Sequence, residues 1–285
     1  MSNQIALITD STCDIPAEWR EEFDIDVIPL TIIWGTEQFL DGVDLSAEDF
    51  YKRLESDSVI PSTSQPSPQV FKDAYAKAAE KGYDEVLVIV ISEAMSGTIQ
   101  SARQAAEESP IPVHVVNSNT NSMGLGWQVI AAARARAAGG GLKEMLAAAD
   151  EVRRNMVYYI TLDTMEYLAK GGRIGTATRF LSHVLLIKPL IYVNRETGTV
   201  APAIPARSRK NAINSLIKQF AKYANTAKPL HITVLHNACL EEARELAARV
   251  TEEFEPKEIF ISIVSPILGV HTGPKALALC GYAED

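Results

Sequence analysis

Glu85-Val86-Leu87-Val88-Ile89-Val90-Ile91, running on into Ser92-Glu93-Ala94-Met95-Ser96-Gly97-Thr98, is the stretch that decides the fold. After the leading glutamate every side chain is valine, leucine or isoleucine, with no alternation of polar and apolar positions. A short run apolar at both odd and even positions buries both faces, as strands do in a parallel sheet covered by helices on each side. The polar loop that follows opens a helix predicted from about Ser96 to Glu108.

Working outward, the same unit recurs. Residues 4–9 form a short apolar strand ending at Asp10-Ser11-Thr12. Pro16 to Phe23 reads as a helix with Asp14 as its N-cap, and Val27 to Trp34 as a second strand. Ser46 to Ser56 is a helix capped by Ser46 with Asp49 three residues on. Gln69 to Lys81 is a helix stopped by Gly82, Val113 to Val116 a strand and Gly126 to Ala138 a helix. Strands alternating with helices imply parallel units joined by right-handed crossovers. Gly139-Gly140-Gly141 then stops one helix, and Leu142 to Asn155 is amphipathic and long enough to bridge two domains.

The second half reads differently. Tyr158 to Thr161 is a strand and Thr164 to Lys170 a helix. Pro189 to Val193 and Thr199 to Ala203 flank Asn194-Arg195-Glu196-Thr197-Gly198, a hairpin signal. Lys210 to Tyr223, His231 to His236, Leu240 to Phe254 and Glu258 to Val264 alternate helix and strand. The expected fold is therefore α/β in two domains. Residues 1–155 hold a mostly parallel sheet, and residues 156–285 an α+β unit with a mixed or antiparallel sheet.

Composition narrows the function. At 285 residues, 47% hydrophobic and 22% charged, the chain is ordinary globular protein, long enough for two cores. A formal net charge of −9 argues against nucleic acid and against adsorption on anionic membranes. The three cysteines, Cys13, Cys239 and Cys280, are far apart and form no metal-ligand spacing, which suits reduced thiols in cytoplasm. No basic segment followed by an apolar core opens the chain, and no apolar run approaches membrane-spanning length. The expectation is a cytoplasmic protein without stable membrane insertion.

Ligands of open α/β sheets collect beyond the carboxyl ends of strands, near helix N-termini. Three hydroxyl-bearing loops fall there: Asp10 to Asp14, Ser92 to Thr98 and Asn117 to Gly124. In the second of these, Ser96-Gly97-Thr98 combines hydroxyls with the free N–H groups of a helix start, a setting for an oxyanion or a plain cap. Pro61-Ser62-Thr63-Ser64-Gln65-Pro66-Ser67-Pro68 puts four hydroxyls and three prolines into eight residues, a stiff loop fitted to an anion or simply to capping the next helix through Ser67. Asp10 and Asp14 form a weak candidate metal pair. Lys170 and Arg173 read as helix-end charges or as an anion- or partner-binding pair around Gly171-Gly172, whose glycines suit a left-handed cap. Arg207-Ser208-Arg209-Lys210 concentrates three cations on an acidic chain. His271 sits in a Gly/Pro-constrained turn, unlike His183 and His231, which look like members of regular elements. Dinucleotide, phosphate-loop and Gly-x-Ser-x-Gly hydrolase patterns are incomplete or absent.

Together these segments resemble the DegV family. The resemblance rests on Asp10-Ser11-Thr12-Cys13-Asp14, Thr63-Ser64-Gln65-Pro66-Ser67, Ser96-Gly97-Thr98, Ser118 to Gly126, Leu168 to Ile174, Lys188-Pro189, Arg207 to Lys210 and His271-Thr272-Gly273-Pro274, in this order over nearly the whole chain. It implies a long-chain fatty acid in an apolar tunnel between two domains, with no catalytic residue, cofactor or metal of the chain's own. The carboxylate would be held by Thr63, Ser64, Ser96, Gly97 and Thr98, with Arg207, His271 and Thr272 at the same mouth. It further implies a separate ATP-dependent kinase subunit that converts the carboxylate into an acyl phosphate. Two positions depart from the family's habit: Lys275 stands where a glycine usually follows His-Thr-Gly-Pro, and Asn117 where an aspartate usually precedes the serine. The competing expectations are a free-standing acyl hydrolase using Ser96 with His271, and a regulatory module for another lipid anion.

Overall fold

The computed structural model describes residues 4–178 and 187–284. The first half runs β1 (Ile5–Asp10), α1 (Ala17–Glu22), β2 (Ile25–Ile28), β3 (Thr31–Trp34), β4 (Glu37–Leu40), α2 (Ala47–Ser56), β5 (Ser62–Ser64), α3 (Pro68–Glu80), β6 (Glu85–Val90), α4 (Thr98–Ala106), β7 (Val113–Asn117), α5 (Ser122–Ala137) and α6 (Leu142–Asn155). The second half runs β8 (Val157–Thr161), α7 (Glu166–Lys170), β9 (Leu190–Val193), β10 (Val200–Pro202), α8 (Arg209–Tyr223), β11 (Leu230–His236), α9 (Leu240–Phe254), β12 (Glu258–Ile263), α10 (Pro266–Thr272) and β13 (Leu277–Ala283).

The first sheet has the order β2-β1-β6-β7 and is parallel throughout, with Leu7 opposite Leu87 and Val88 opposite Val115. Its strands are apolar on both faces because both are covered. Ala6, Ile8, Val86, Val88 and Val90 meet Phe71 and Tyr75 of α3 and Ile99 and Ala102 of α4. Ile5, Leu7, Leu87 and Ile89 share a core with Met123, Trp127 and Ile130 of α5. The run Glu85 to Ile91 thus behaves as its composition dictates.

The second sheet is mixed, ordered β10-β9-β8-β13-β11-β12, with only β11 and β12 parallel. Alternation sorts its side chains. Val157, Tyr159, Ile232 and Leu279 pack against Leu216 and Phe220 of α8 and Leu246 of α9, whereas Tyr158, Ile160, Ala278 and Cys280 join the core that contains α5 and α6. One core therefore runs from the first sheet through α5 and α6 to the second, and the division placed at 155/156 falls between α6 and β8.

A third, three-stranded antiparallel sheet, β4-β3-β5, is packed with Phe50 and Leu54 of α2 and with Ile267 and Val270 of α10. It is the source of several corrections. Val27 to Trp34 is two strands in two sheets, β2 and β3, separated at Pro29-Leu30, since proline cannot donate to a ladder. Asp14 is not the N-cap of α1, a position held by Pro16: it ends the 3-10 turn Ser11–Cys13 with a left-handed φ of 52°, and its carboxylate accepts the Ser265 N–H at 2.9 Å and the Ser122 hydroxyl. Ser67 occupies the N-cap position of α3 with Pro68 in the first turn, but its side chain makes no capping bond. His271 belongs to the last turn of α10 rather than to a turn, and β13, unforeseen in the sequence, is an inner strand of the second sheet. The β9–β10 hairpin is present as expected, Val193 opposite Val200. His183 lies outside the described residues.

Candidate ligand-binding site

Between the sheets lies a cavity of about 290 Å³, at the small end of ligand pockets, which span roughly 300–1,000 Å³. Its wall is apolar and comes mainly from the second sheet: Ile160 of β8, Ile191 and Val193 of β9, Leu235 of β11, Leu277 and Ala278 of β13. Leu30, Ile91 and Met95 close it from the first half, and Leu168, Ile267 and Leu268 from α7 and α10. Contacts tie much of the polar lining into one end: Thr63 bonds His271, Asn237 bonds Thr272 in the same helix end, and Arg173 bonds the Met95 carbonyl beside Ser96, with Ser64 and Gln65 next to Thr63. Asn121 and Tyr158 line the cavity as well. Ser64, Gln65 and Arg173 are exposed, so the end they share with Thr63 and His271 reaches the surface and forms a mouth.

Each mouth residue is placed by a different element. Thr63 lies on β5, opposite Ile32 of β3, and its Oγ1 is 3.0 Å from His271 Nε2. Burial pushes the His271 imidazole down to about 4, with the Arg173 charge adding to the effect, so the ring is neutral at pH 7. His271 Nδ1 is buried without a partner among the described residues and points at Gly171, where a Cβ would stand 2.1 Å from it. Gly171 therefore serves as the floor of the histidine site, while the left-handed residue of this helix end is Gly172, φ 69°. The direction of the Thr63 bond follows the ring tautomer: with the proton on Nε2 the histidine donates to Thr63, and the threonine hydroxyl keeps its own proton for a ligand.

Ser96 sits just before α4, its Oγ 2.9 Å from Thr98 Oγ1 and 3.3 Å from the Thr98 N–H. Arg173 follows α7, donating to the Met95 and Gly171 carbonyls at 3.2 and 2.7 Å. Thr63, Ser64, Ser96, His271 and Thr272, predicted from sequence, are thus brought to one mouth. Others are not. Thr98 is fully buried behind Ser96 and does not line the cavity, and Gly97 faces Gln65, not the cavity. Thr272 does line it, but its hydroxyl donates to Leu268 O and accepts from Asn237 Nδ2, both at 2.8 Å.

Arg207 is exposed and is not part of the lining. Its neighbours are used locally: Ser208 caps α8, and Arg209 makes a bidentate pair with Glu242 at 3.0 and 2.7 Å. The mouth's cation is instead Arg173, and Lys170, its presumed companion, pairs with Glu166 at 2.8 Å. Gln65 and Asn237 also line the cavity without having been singled out. Gln65 lay inside a quoted hydroxyl motif, so its position was visible in sequence, but its contacts were not. Ser96 and His271 make no hydrogen bond to each other among the described residues.

Below α10, two carboxyls are unusual. Burial holds Asp14 and Asp41 each up at about 7 despite nearby donors. Asp41 is only 3% exposed; the Ser11 hydroxyl and the Ile267 N–H stand near its carboxyl, but among the described residues neither of its oxygens accepts a well-formed hydrogen bond. No group of three or more histidine, cysteine or acidic residues is placed to hold a metal among the described residues. No helix among them is long and apolar enough to cross a membrane. Of the two departures, Asn117 Oδ1 accepts the Glu93 and Asn119 N–H groups at 3.3 and 3.1 Å, as an aspartate would. Lys275 has a left-handed φ of 60°, where glycine would be unstrained.

Fold and site together define an α/β protein of two main sheets closed around an apolar cavity with a polar mouth. The chain belongs to the DegV family: that family's profile, described as "Uncharacterised protein, DegV family", matches residues 4–284. A DegV domain-containing protein of Streptomyces coelicolor is 34% identical over 98% of each chain. A protein of Thermotoga maritima named "Fatty acid-binding protein" is 31% identical over 95% of each. Among solved structures, one titled for fatty acid binding by a DegV family protein of Thermus thermophilus superposes with a TM-score of 0.90 at 30% identity, covering 98% of this chain and 99% of that one.

Proposed function

We propose that this protein binds a long-chain fatty acid, with the tail in the cavity and the carboxylate at the mouth. The observation that carries the reading is the polarity of the cavity: an apolar wall from two sheets ends in the Thr63 and Ser96 hydroxyls, neutral His271 and the Arg173 guanidinium. Each methylene moved from water to such a wall is worth roughly 0.8 kcal/mol, so the tail supplies affinity against the cost of association. The hydroxyls keep the head from being buried unpaired. Relatives named for fatty acid binding support the same reading.

In the finer form of the proposal, the chain presents the carboxyl group to a separate ATP-dependent kinase, which makes the acyl phosphate. The surface opening of the mouth, with exposed Arg173 as a cation for a partner or a phosphate, supports it. It places the protein in the cytoplasm, where ATP is available. The hydrolase reading loses support because His271 bonds Thr63, and among the described residues Ser96 Oγ is bonded only within its own loop, to Thr98. Lipid extraction and mass spectrometry of the purified protein test the first step, with one fatty acid per chain expected. An empty protein that takes up no added fatty acid overturns it, and recovery of a different lipid anion selects the regulatory alternative. Incubation of the loaded protein with ATP and candidate kinases tests the second step.

A further inference from the structure

We infer that Gln65 is a positioning residue that clamps the two hydroxyl-bearing segments of the mouth together, and that Gly97 is glycine in order to seat it. The inference rests on the fatty-acid reading and deepens it.

Thr63 and Ser96 come from unrelated places, β5 of the small sheet and the loop before α4. Among the described residues the only hydrogen bond between residues 62–67 and residues 92–101 runs from Gln65 Nε2 to Ser101 Oγ, 3.2 Å. Ser101 is 3% exposed on the first turn of α4, a fixed anchor. The glutamine reaches it across Gly97, where a Cβ would stand 2.0 Å from Gln65 Oε1 and 2.8 Å from Nε2. The backbone of Gly97 has φ −76° and ψ 8°, a conformation open to any residue, so conformational freedom does not explain the glycine there. Space for the Gln65 amide does. Gln65 also lines the cavity beside Thr63 and Ser96, so losing the clamp would let the two hydroxyls separate. Two donors serve one carboxylate only while their spacing is held.

The test compares stearate with stearyl alcohol, which share a tail and differ in the head. Wild-type protein that binds stearate and prefers it to the alcohol establishes the underlying reading; failure to bind either sinks that reading and not the clamp alone. Given binding, Gln65→Leu and Gly97→Ala are each expected to lower the acid-over-alcohol preference by about tenfold, the scale of one lost hydrogen bond to a charged group. The Gln65→Ala/Gly97→Ala pair is expected to be no worse than Gln65→Ala alone, since the added methyl then has nothing to displace. Thermal melting of each variant without ligand separates misfolding from loss of positioning, and Gln65→Asn serves where Gln65→Leu fails to fold. An unchanged preference in folded Gln65→Leu overturns the clamp. So does a Gly97→Ala effect of full size in the Gln65→Ala background.

Discussion

The wall of the cavity and its mouth are made in opposite ways. The wall is built from regular strands, and Ile160, Ile191 and Ala278 reach it because alternate residues of a paired sheet must share a face. The mouth is built from ends and loops: a three-residue strand, a helix start, a helix end and the last turn of a seven-residue helix, tied by single side-chain bonds. A wall of this kind gives affinity that grows with tail length and is indifferent to the head. A mouth of this kind recognises the head at little cost in area. If the division is real, damage to the wall lowers binding of every lipid, and damage to the mouth changes only which head is preferred.

The largest effect is therefore expected at the wall. Ala278, 3% exposed on an inner strand, lines the cavity. Ala278→Phe fills the space of three or four methylenes and is expected to weaken long-chain fatty acid and alcohol alike by roughly a hundredfold or more. Calorimetric titration of both ligands reads this, with melting to confirm the fold. A selective loss of the acid would break the division.

Acid comes next. The His271 ring stays neutral in the folded protein down to about 4, against an ordinary 6.5 when unfolded. Between those values the unfolded chain binds the extra proton, so stability from this residue is present above pH 6.5 and is lost as pH falls toward 4, by on the order of 2–3 kcal/mol. Asp14 and Asp41, held up at about 7, have the opposite slope: the folded chain keeps their protons and gains stability as pH falls through the same range. The histidine's part is read from the difference between wild type and His271→Gln in denaturant titrations across pH 4–7. A difference independent of pH would mean that His271 takes up its proton alike in the folded and unfolded chain, with no shift from burial.

How much of this was legible in the sequence follows the same line between wall and mouth. The parallel sheet was readable because Glu85 to Ile91 and residues 4–9 must bury both faces wherever they go. The mouth's hydroxyls were readable because they lie in short local motifs. What could not be read depends on distant partners. β13 was missed because Leu277-Ala278-Leu279-Cys280-Gly281 is full of small residues, which weakens any strand signal. They are small because of the strand's inner position: a Cβ on Gly281 would meet His231 O at 2.3 Å. Asp14 was misread because its partners, Ser122 and Ser265, are 108 and 251 residues away. Arg173 and Arg207 looked alike as cations near glycine or helix starts, and only the fold puts the first on the cavity and leaves the second off it.

A direct test of the mouth is Thr63→Val, which keeps shape and removes the hydroxyl hydrogen-bonded to His271. Stearate affinity is expected to fall about tenfold, with stearyl alcohol little changed. An equal loss for both ligands would return Thr63 to the wall.

The smallest effect separates charge from hydroxyl at the mouth itself. Arg173 is exposed, and exposed ion pairs contribute roughly 0.2–1 kcal/mol, so Arg173→Gln is expected to weaken stearate by only about twofold to fivefold. That difference should shrink as salt is raised, whereas the Thr63→Val loss, resting on a hydrogen bond, should not. The substitution has a second consequence. Arg173 is one of two causes that depress His271, the lesser after burial, so removing its charge should shrink the acid limb of stability, which still begins near 6.5 but ends sooner, without abolishing it. Salt titration of stearate binding and the pH profile of unfolding read these two outcomes independently. A large salt-resistant loss with an unmoved acid limb would make Arg173 a fixed donor of the mouth, and the head would then be held by charge rather than by the hydroxyls.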